Sequence, residues 1–202
     1  MHLEFFAGIE AIADAKAEIF SGLEPDGAVV LNRDNGQFAR LQKQAKKAGI
    51  SRIVSFGADK RAEARLIDLS LHATCSAVHA DILDHDITYK IGMPGRHMAM
   101  NSLAVLAGAA LLGADIAPAA LSLSQLEAPT GRGLRRTLEV GHGEATLIDE
   151  SYNANPASMG AALNVLGQAP TGAHGRRIAV LGDMLELGPT GPELHRDRKS
   201  VV

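Results

Sequence analysis

The sequence predicts an α/β protein built in two parts, and three observations carry that prediction. A strand, helix and strand succession opens the chain, a long Ala- and Gly-rich helix occupies its middle, and a stretch of Pro, Gly and Arg separates these from a second set of strand and helix patterns. At 202 residues with 46% hydrophobic content, there is ample material for packed cores.

GIEAIADAKAEIF, residues 8–20, spaces Ile9, Ile12, Ala13, Lys16, Ile19 and Phe20 as an amphipathic helix, which places Lys16 within the apolar stripe. After a turn at EPDG come a strand, AVVLN, and a helix from about Gln37 to Lys47 that Gly49 caps, then a second strand, SRIVSFG. From Ala64 to Met93 the runs RLIDLSL, CSAVHADI and DITYKIG shorten into an antiparallel hairpin or meander. Residues 94–115 return to helix, and their small side chains imply close packing against neighbours. A further helix is expected over Pro118 to Glu127.

APTGRGLRR, 128–136, marks a boundary, so the expected organisation is a first domain over 1–127, a linker over 128–135 and a second domain over 136–202. TLEVGHGEATLIDE reads as a hairpin turning at Gly141-His142-Gly143, PASMGAALNVLGQA as a helix, and RRIAVLGD, 176–183, as a strand apolar enough for the centre of a parallel sheet.

Charge and composition exclude several classes. The net charge of −3 leaves no basic stripe for nucleic acid beyond KQAKKAG at 43–49, which is a solvated helix face. The single cysteine, Cys75, excludes an internal disulfide and suits a reducing compartment, so the expected location is cytoplasmic. The longest apolar run, 103–113, is too short to span a bilayer, so no membrane insertion is expected, and MHLEFF is no secretion signal.

Several residues carry candidate chemistry. ATLIDE, the following helix and RRIAVLGD are expected to form a β-α-β unit, which sets Asp149 and Glu150 at one strand tip beside Asp183 at the other, on the rim where open α/β sheets bind ligands. Asn155-Pro156 reads as a helix cap with Pro in the first turn. Spacing leaves two readings of Lys16: it snorkels its ammonium to water, or burial favours a neutral amine that takes up carbon dioxide to give a carbamate, an anionic oxygen ligand for Mg²⁺. His72, Cys75 and His79 lack a fourth ligand at zinc spacing and are rejected as a metal cluster. No G-x-x-x-x-G-K-[ST] loop occurs.

On five blocks the sequence resembles the Mur ligases. HLEFF with GIEAIADAKAEIF is similar to the family's HLExF…AKxEIF, VLNRDN to its NADD or NADN strand end, GRHMAMNSLAVLA to its GRHNxxNAxAA helix and DESYNANPASM to its DDSYNANP, while GDMLELG followed by LHR completes the set in order. The SYNANP and GDMLELG blocks point to the branch that adds D-Ala-D-Ala and away from sister ligases adding a single amino acid. The resemblance implies part of a P-loop-type ATPase domain with a mixed sheet, followed by part of a Rossmann-like α/β domain. It implies an ATP-dependent amide ligase of peptidoglycan precursor synthesis, with ATP and Mg²⁺ as cofactors and with UDP-MurNAc-tripeptide and D-Ala-D-Ala joined through an acyl phosphate.

The same resemblance implies roles for particular residues. Lys16 matches the lysine that the family carbamylates, which favours the second reading of that residue, and His2 matches a histidine holding Mg²⁺. Asn101 matches an asparagine near the adenine, Arg132 the linker arginine reaching the nucleotide phosphates, and Glu150 the acid that contacts the ribose. Two departures stand out: Met98 occupies the first Asn position of the helix motif, and Glu150 replaces the usual Asp. The family's uridine-nucleotide domain and phosphate loop have no counterpart here, so the expectation is an internal fragment that does not ligate alone. The competing expectation is a non-catalytic remnant of a truncated or frameshifted gene that at most binds a nucleotide or protein weakly.

Overall fold

A computed structural model of the chain describes residues 6–141, 143–172 and 174–197. They divide into two compact units, Phe6–Gln125 and the residues from Leu126 onward.

The first unit is organised by a five-stranded mixed sheet in the order β1-β2-β3-β4-β5, formed by Ala28–Asn32, Arg52–Gly57, Ala64–Leu71, Ser76–Ile82 and His85–Ile91. β1 and β2 are parallel, joined through helix α2, Phe38–Lys47, as expected. The α2 C-terminus closes on Gly49 at φ 83°, with Ile50 N–H reaching Ala45 O and Gly49 N–H reaching Lys46 O, the paired bonds of a Schellman cap. β2 meets β3 in parallel over two residue pairs, and β3, β4 and β5 form the antiparallel meander.

Both faces of the parallel end are covered. Val29 and Leu31 point to one side, where they join Ala17 from helix α1, Ile9–Ala17, and Phe20 from the turn after it, with Ala45 and Ile50 in one apolar cluster. Val54, Ala64, Val78, Ala80 and Ile82 are buried on the other side, the side taken by helix α3, Arg96–Leu111. α3 buries Ala99, Leu103, Leu106 and Ala107, small residues alternating with Leu, which lets the helix lie close to the strands.

Three buried hydroxyls fix that helix to the sheet. Tyr89 OH and Ser102 Oγ lie 2.7 Å apart, and burial raises the Tyr89 pKa above its ordinary value. Ser76 Oγ accepts the Gly95 N–H and donates to Met93 O, each at 3.1 Å, which ties β4 to the residue before α3.

Helix α4 runs Ile116–Leu123, two residues earlier than expected. Its start is set by Asp115, whose carboxylate accepts the Ala117 N–H at 2.9 Å, and Pro118 falls in the first turn, where its missing N–H costs nothing.

In the second unit, β6, Leu134–Val140, and β7, Gly143–Asp149, pair antiparallel, and helix α5, Pro156–Gln168, follows. The hairpin is the expected one; His142 in its turn lies outside the described residues. The expected β-α-β unit is not formed. Residues 176–183 belong to no strand, and among the described residues β7 pairs with β6 alone. An all-apolar strand is stable between hydrogen-bonding neighbours and beneath a covering layer; here Ile178 is 65% and Val180 94% exposed. Asp183 therefore does not stand beside Asp149 at a paired strand end. Helix α6, Gly191–Asp197, packs back on this segment through His195, whose Nδ1–H donates to Gly191 O at 2.7 Å while Nε2 accepts the Met184 N–H at 2.9 Å.

Candidate functional site

In the first unit the sequence candidates sit on helices α1, Ile9–Ala17, and α3. α1 turns Ile12, Ala13 and Ala17 inward and tightens into a 3₁₀ turn over Glu18–Gly22 that buries Phe20. Lys16 falls at the margin of this stripe, on the side shared with the exposed Ile9 and Ile19, and is itself exposed. The burial expected there is absent, which corrects the placement of Lys16 within the apolar face. His2 lies outside the described residues.

Asn101 is exposed on α3 one turn after His97, and the two share a face with Val105. Partial desolvation holds the His97 pKa below the ordinary histidine value. Met98 is half-buried.

The carboxyl ends of β1 and β2 form a tight rim. Asp34 accepts the Ala58 and Asp59 N–H groups at 2.7 and 2.9 Å, and Gly57 is obligatory beside it, because a Cβ there would stand 2.6 Å from Asp34 Oδ1. Asn32 Oδ1 accepts the Asp34 N–H at 2.9 Å, so the VLNRDN block is a self-bonded turn. Asp59 is chelated by Arg61 at 3.0 and 2.8 Å, and the Arg61 guanidinium holds its carboxyl far below the usual carboxylate range.

In the second unit two candidates come together on adjoining segments. Residues 129–133 are fastened to 149–152: Gly133 N–H donates to Asp149 O at 2.8 Å, Gly131 N–H to Asp149 Oδ2 at 3.1 Å, and Tyr152 N–H to Gly131 O at 3.1 Å. Asp149 is committed to this loop, since Ser151 also donates to it through Oγ at 2.6 Å and backbone N–H at 3.1 Å, and these bonds lower its pKa. Its neighbour Glu150 is exposed at the strand tip, and a Cβ on Gly133 would lie 3.3 Å from Glu150 Oε1. Partial desolvation by this surrounding chain, then the Asp149 charge, raise the Glu150 pKa. Arg132 projects from the middle of the loop with its guanidinium carbon 4.1 Å from the centre of the Tyr152 ring.

Chemically, this corner presents a cation with a planar fork of donors and an anion with free lone pairs on one surface, a combination suited to phosphate oxygens and vicinal hydroxyls respectively. Asp149 and Asn155 serve structure: Asn155 Oδ1 accepts the Ala157 and Ser158 N–H groups at 3.0 Å, and Ser158 Oγ returns the bond to the Asn155 N–H at 2.9 Å, a complete capping box. The sequence pattern marks neither Ser76 nor Tyr152 as a site-shaping residue: a buried serine carries no periodic signal, and Tyr152 is one residue among many in the SYNANP block.

The described residues contain no group of three or more His, Cys, Asp or Glu able to hold a metal ion. No described helix is long and apolar enough to cross a membrane.

Two family matches cover most of the chain: the Mur ligase middle domain over residues 1–109, and the Mur ligase, glutamate ligase domain over residues 135–202. The UDP-N-acetylmuramoyl-tripeptide--D-alanyl-D-alanine ligase of Rickettsia prowazekii is 34% identical over 199 residues, which cover 97% of this chain and 42% of the relative. The enzyme of the same name from Escherichia coli is 33% identical, with 96% and 41% covered. Among solved structures, MurF from Acinetobacter baumannii superposes with a TM-score of 0.85 at 28% identity, over 97% of this chain and 40% of that one. The MurF ligase from Thermotoga maritima in complex with ADP gives 0.79 at 25%, over 99% and 43%. The chain thus spans about two fifths of the length of the relatives it matches.

Proposed function

The chain belongs to the Mur ligase family, and from that premise we propose that it forms part of a cytoplasmic ATP-dependent ligase of peptidoglycan precursor synthesis. Its substrates are UDP-MurNAc-tripeptide and D-Ala-D-Ala, joined into an amide through an acyl phosphate. Support for this branch comes from the names of the relatives, ligases that add D-alanyl-D-alanine.

The observation that carries the reading is the exposed pair on adjoining segments, Arg132 on a loop between two positive-φ glycines and Glu150 on the strand tip fastened to that loop. Arg132 donates to the phosphate oxygens of the nucleotide, where a planar guanidinium offsets negative charge as it gathers on the transferring group. Glu150 accepts from ribose hydroxyls. Asn101, exposed on α3, offers an amide to the edge of the adenine. A divalent cation would neutralise phosphate charge in such a ligase, with His2 and a carbamylated Lys16 as the proposed ligands. The described residues do not assemble that site.

The test is a titration of the 202-residue chain with ADP, followed by isothermal calorimetry and repeated with Arg132→Ala, Glu150→Ala and Asn101→Ala. Saturable binding that each substitution weakens about 10-fold or more supports the assignment. Binding indifferent to all three, or none up to millimolar ADP, refutes it. The activity itself is tested in a full-length ligase carrying this sequence, by phosphate release that depends jointly on ATP, UDP-MurNAc-tripeptide and D-Ala-D-Ala; release independent of the dipeptide would exclude the proposed acceptor.

A further inference from the structure

Tyr152 has no evident part in folding. It is 68% exposed, and its ring meets the guanidinium of Arg132 at 4.1 Å. An exposed aromatic adds little to a core, yet the backbone around this one is built with unusual care. Tyr152 N–H donates to Gly131 O. Gly131 holds φ 76°, and a Cβ on it would stand 3.0 Å from both the Tyr152 backbone nitrogen and Cβ. Arg132 N–H in turn donates to Pro129 O at 3.0 Å. The loop can approach Tyr152 this closely only with glycine at 131, and that approach sets the next side chain over the ring.

We propose that Tyr152 is a positioning residue: its ring face holds the Arg132 guanidinium flat, leaving the in-plane N–H groups directed outward for the phosphate oxygens of a nucleotide. A carboxylate partner would hold an arginine equally well but would consume those donors. A ring engages the face of the cation and leaves its edge free. Among the described residues Arg132 makes no ion pair, so its fork is unspent. Holding the side chain in one rotamer also removes part of the ordering entropy that binding an oxyanion would otherwise cost. The neighbouring glycines serve the same end, since a side chain at 131 would push the loop off the ring.

This inference rests on the reading of Arg132 as a nucleotide-phosphate ligand, and the experiment separates the two. The 202-residue chain is titrated with ADP while the Arg132 Nε–Hε resonance is followed, in the wild type and in Tyr152→Phe, Tyr152→Leu, Arg132→Ala and the Arg132→Ala/Tyr152→Leu double variant. In the free protein the ring current shifts the Arg132 side-chain protons upfield; Tyr152→Phe keeps that shift and Tyr152→Leu abolishes it. Tyr152→Leu weakens ADP binding by about two- to five-fold, the range expected of an exposed cation–π contact, Tyr152→Phe restores it, and the Leu substitution has no effect once Arg132 is Ala. A urea midpoint equal to the wild type in Tyr152→Leu shows that the fold is intact, as the exposure of the ring requires. If Arg132→Ala binds ADP as tightly as the wild type, or the wild type binds none, the reading of Arg132 falls and the positioning role with it. If Arg132→Ala is weak while Tyr152→Leu equals the wild type, the ligand assignment stands and the positioning role is overturned. Equal weakening by Tyr152→Leu with and without Arg132 likewise overturns it, because the ring would then act on the nucleotide directly.

Discussion

Ser76 offers the sharpest test of how the candidate helix is held. Its side chain is fully buried, accepts the N–H of Gly95 and donates to the carbonyl of Met93, both at 3.1 Å. Gly95 is the residue before α3, and its own carbonyl accepts from Met98 and Ala99 N–H at 3.1 and 3.2 Å. Ser76→Ala removes one small atom and leaves two buried backbone groups without partners. An orphaned N–H costs about 1–3 kcal/mol, and the lost bond to the carbonyl adds about 1 kcal/mol. The expected destabilisation is therefore roughly 2–4 kcal/mol, far beyond the loss of one oxygen's packing. Gly95 at φ 123° is locked by its neighbours, so the amide cannot turn to a new acceptor without disturbing the helix start. Urea unfolding followed by far-ultraviolet circular dichroism measures the effect: with a slope near ~2 kcal/mol per molar, the midpoint falls by about 1–2 M. Amide exchange at Gly95 should accelerate in the variant. A midpoint within about 0.2 M of the wild type, with Gly95 protection unchanged, would refute the argument that this hydroxyl anchors the helix.

Val180→Asp should change stability by less than about 0.5 kcal/mol, because the side chain is 94% exposed; a loss of several kcal/mol in the same urea assay would mean that 176–183 is a buried strand after all. Asn155→Ala should cost about 1 kcal/mol and fray the start of α5, read as lower helical signal and faster exchange at Ala157 and Ser158, whose N–H groups the asparagine accepts. Glu150 has a folded-state pKa raised above its ordinary value of 4.5, so its ionised form is disfavoured in the fold: the cost is complete above the folded pKa and vanishes as pH falls below the unfolded one. Glu150→Gln should accordingly melt higher than the wild type at pH 7 and match it near pH 3.5, and a difference that does not narrow with falling pH would contradict this sign.

The sheet of the first unit was legible because its signals are local. Val29 and Leu31 alternate with partly buried neighbours in β1, Gly49 punctuates α2, and the apolar alternation Val78, Ala80, Ile82 in β4 survives directly as burial. What stayed hidden depends on partners far off in sequence or on unusual backbone. The β4–β5 turn uses Leu83 and Asp84 at φ 53° and 68°, an arrangement that Asn-Gly would have announced and these residues do not. Lys16 shows the limit of periodicity: helical spacing places it within the stripe, but how far the cover extends depends on where α2 and β1 lie, and Lys16 is left exposed. The 176–183 run shows the converse, since its apolar character demands cover that the described residues do not provide.

The recognisable motifs were informative for a reason that differs from their apparent chemistry. In DESYNANP, Asp149 is spent on the 129–133 loop, Ser151 on Asp149, Asn153 on the Ala154 N–H, Asn155 on the cap and Pro156 on the first helical turn. In VLNRDN, Asn32 and Asp34 are spent on the turn between strand ends. In GDMLELG with LHR, His195 binds the Met184 N–H and Gly191 carbonyl. Most residues of each block are devices that force one backbone path, and such devices tolerate few substitutes, which makes them visible in a sequence. Within DESYNANP, Glu150 and Tyr152 make no side-chain hydrogen bond of this kind among the described residues, and both stand beside the loop that presents Arg132. Resemblance in these motifs therefore testifies first to a shared local geometry; the chemistry rests on the small remainder of side chains that the geometry leaves unspent, and substitutions aimed at Glu150, Tyr152 and Arg132 will speak to function while those at Asp149 or Asn155 will speak to folding.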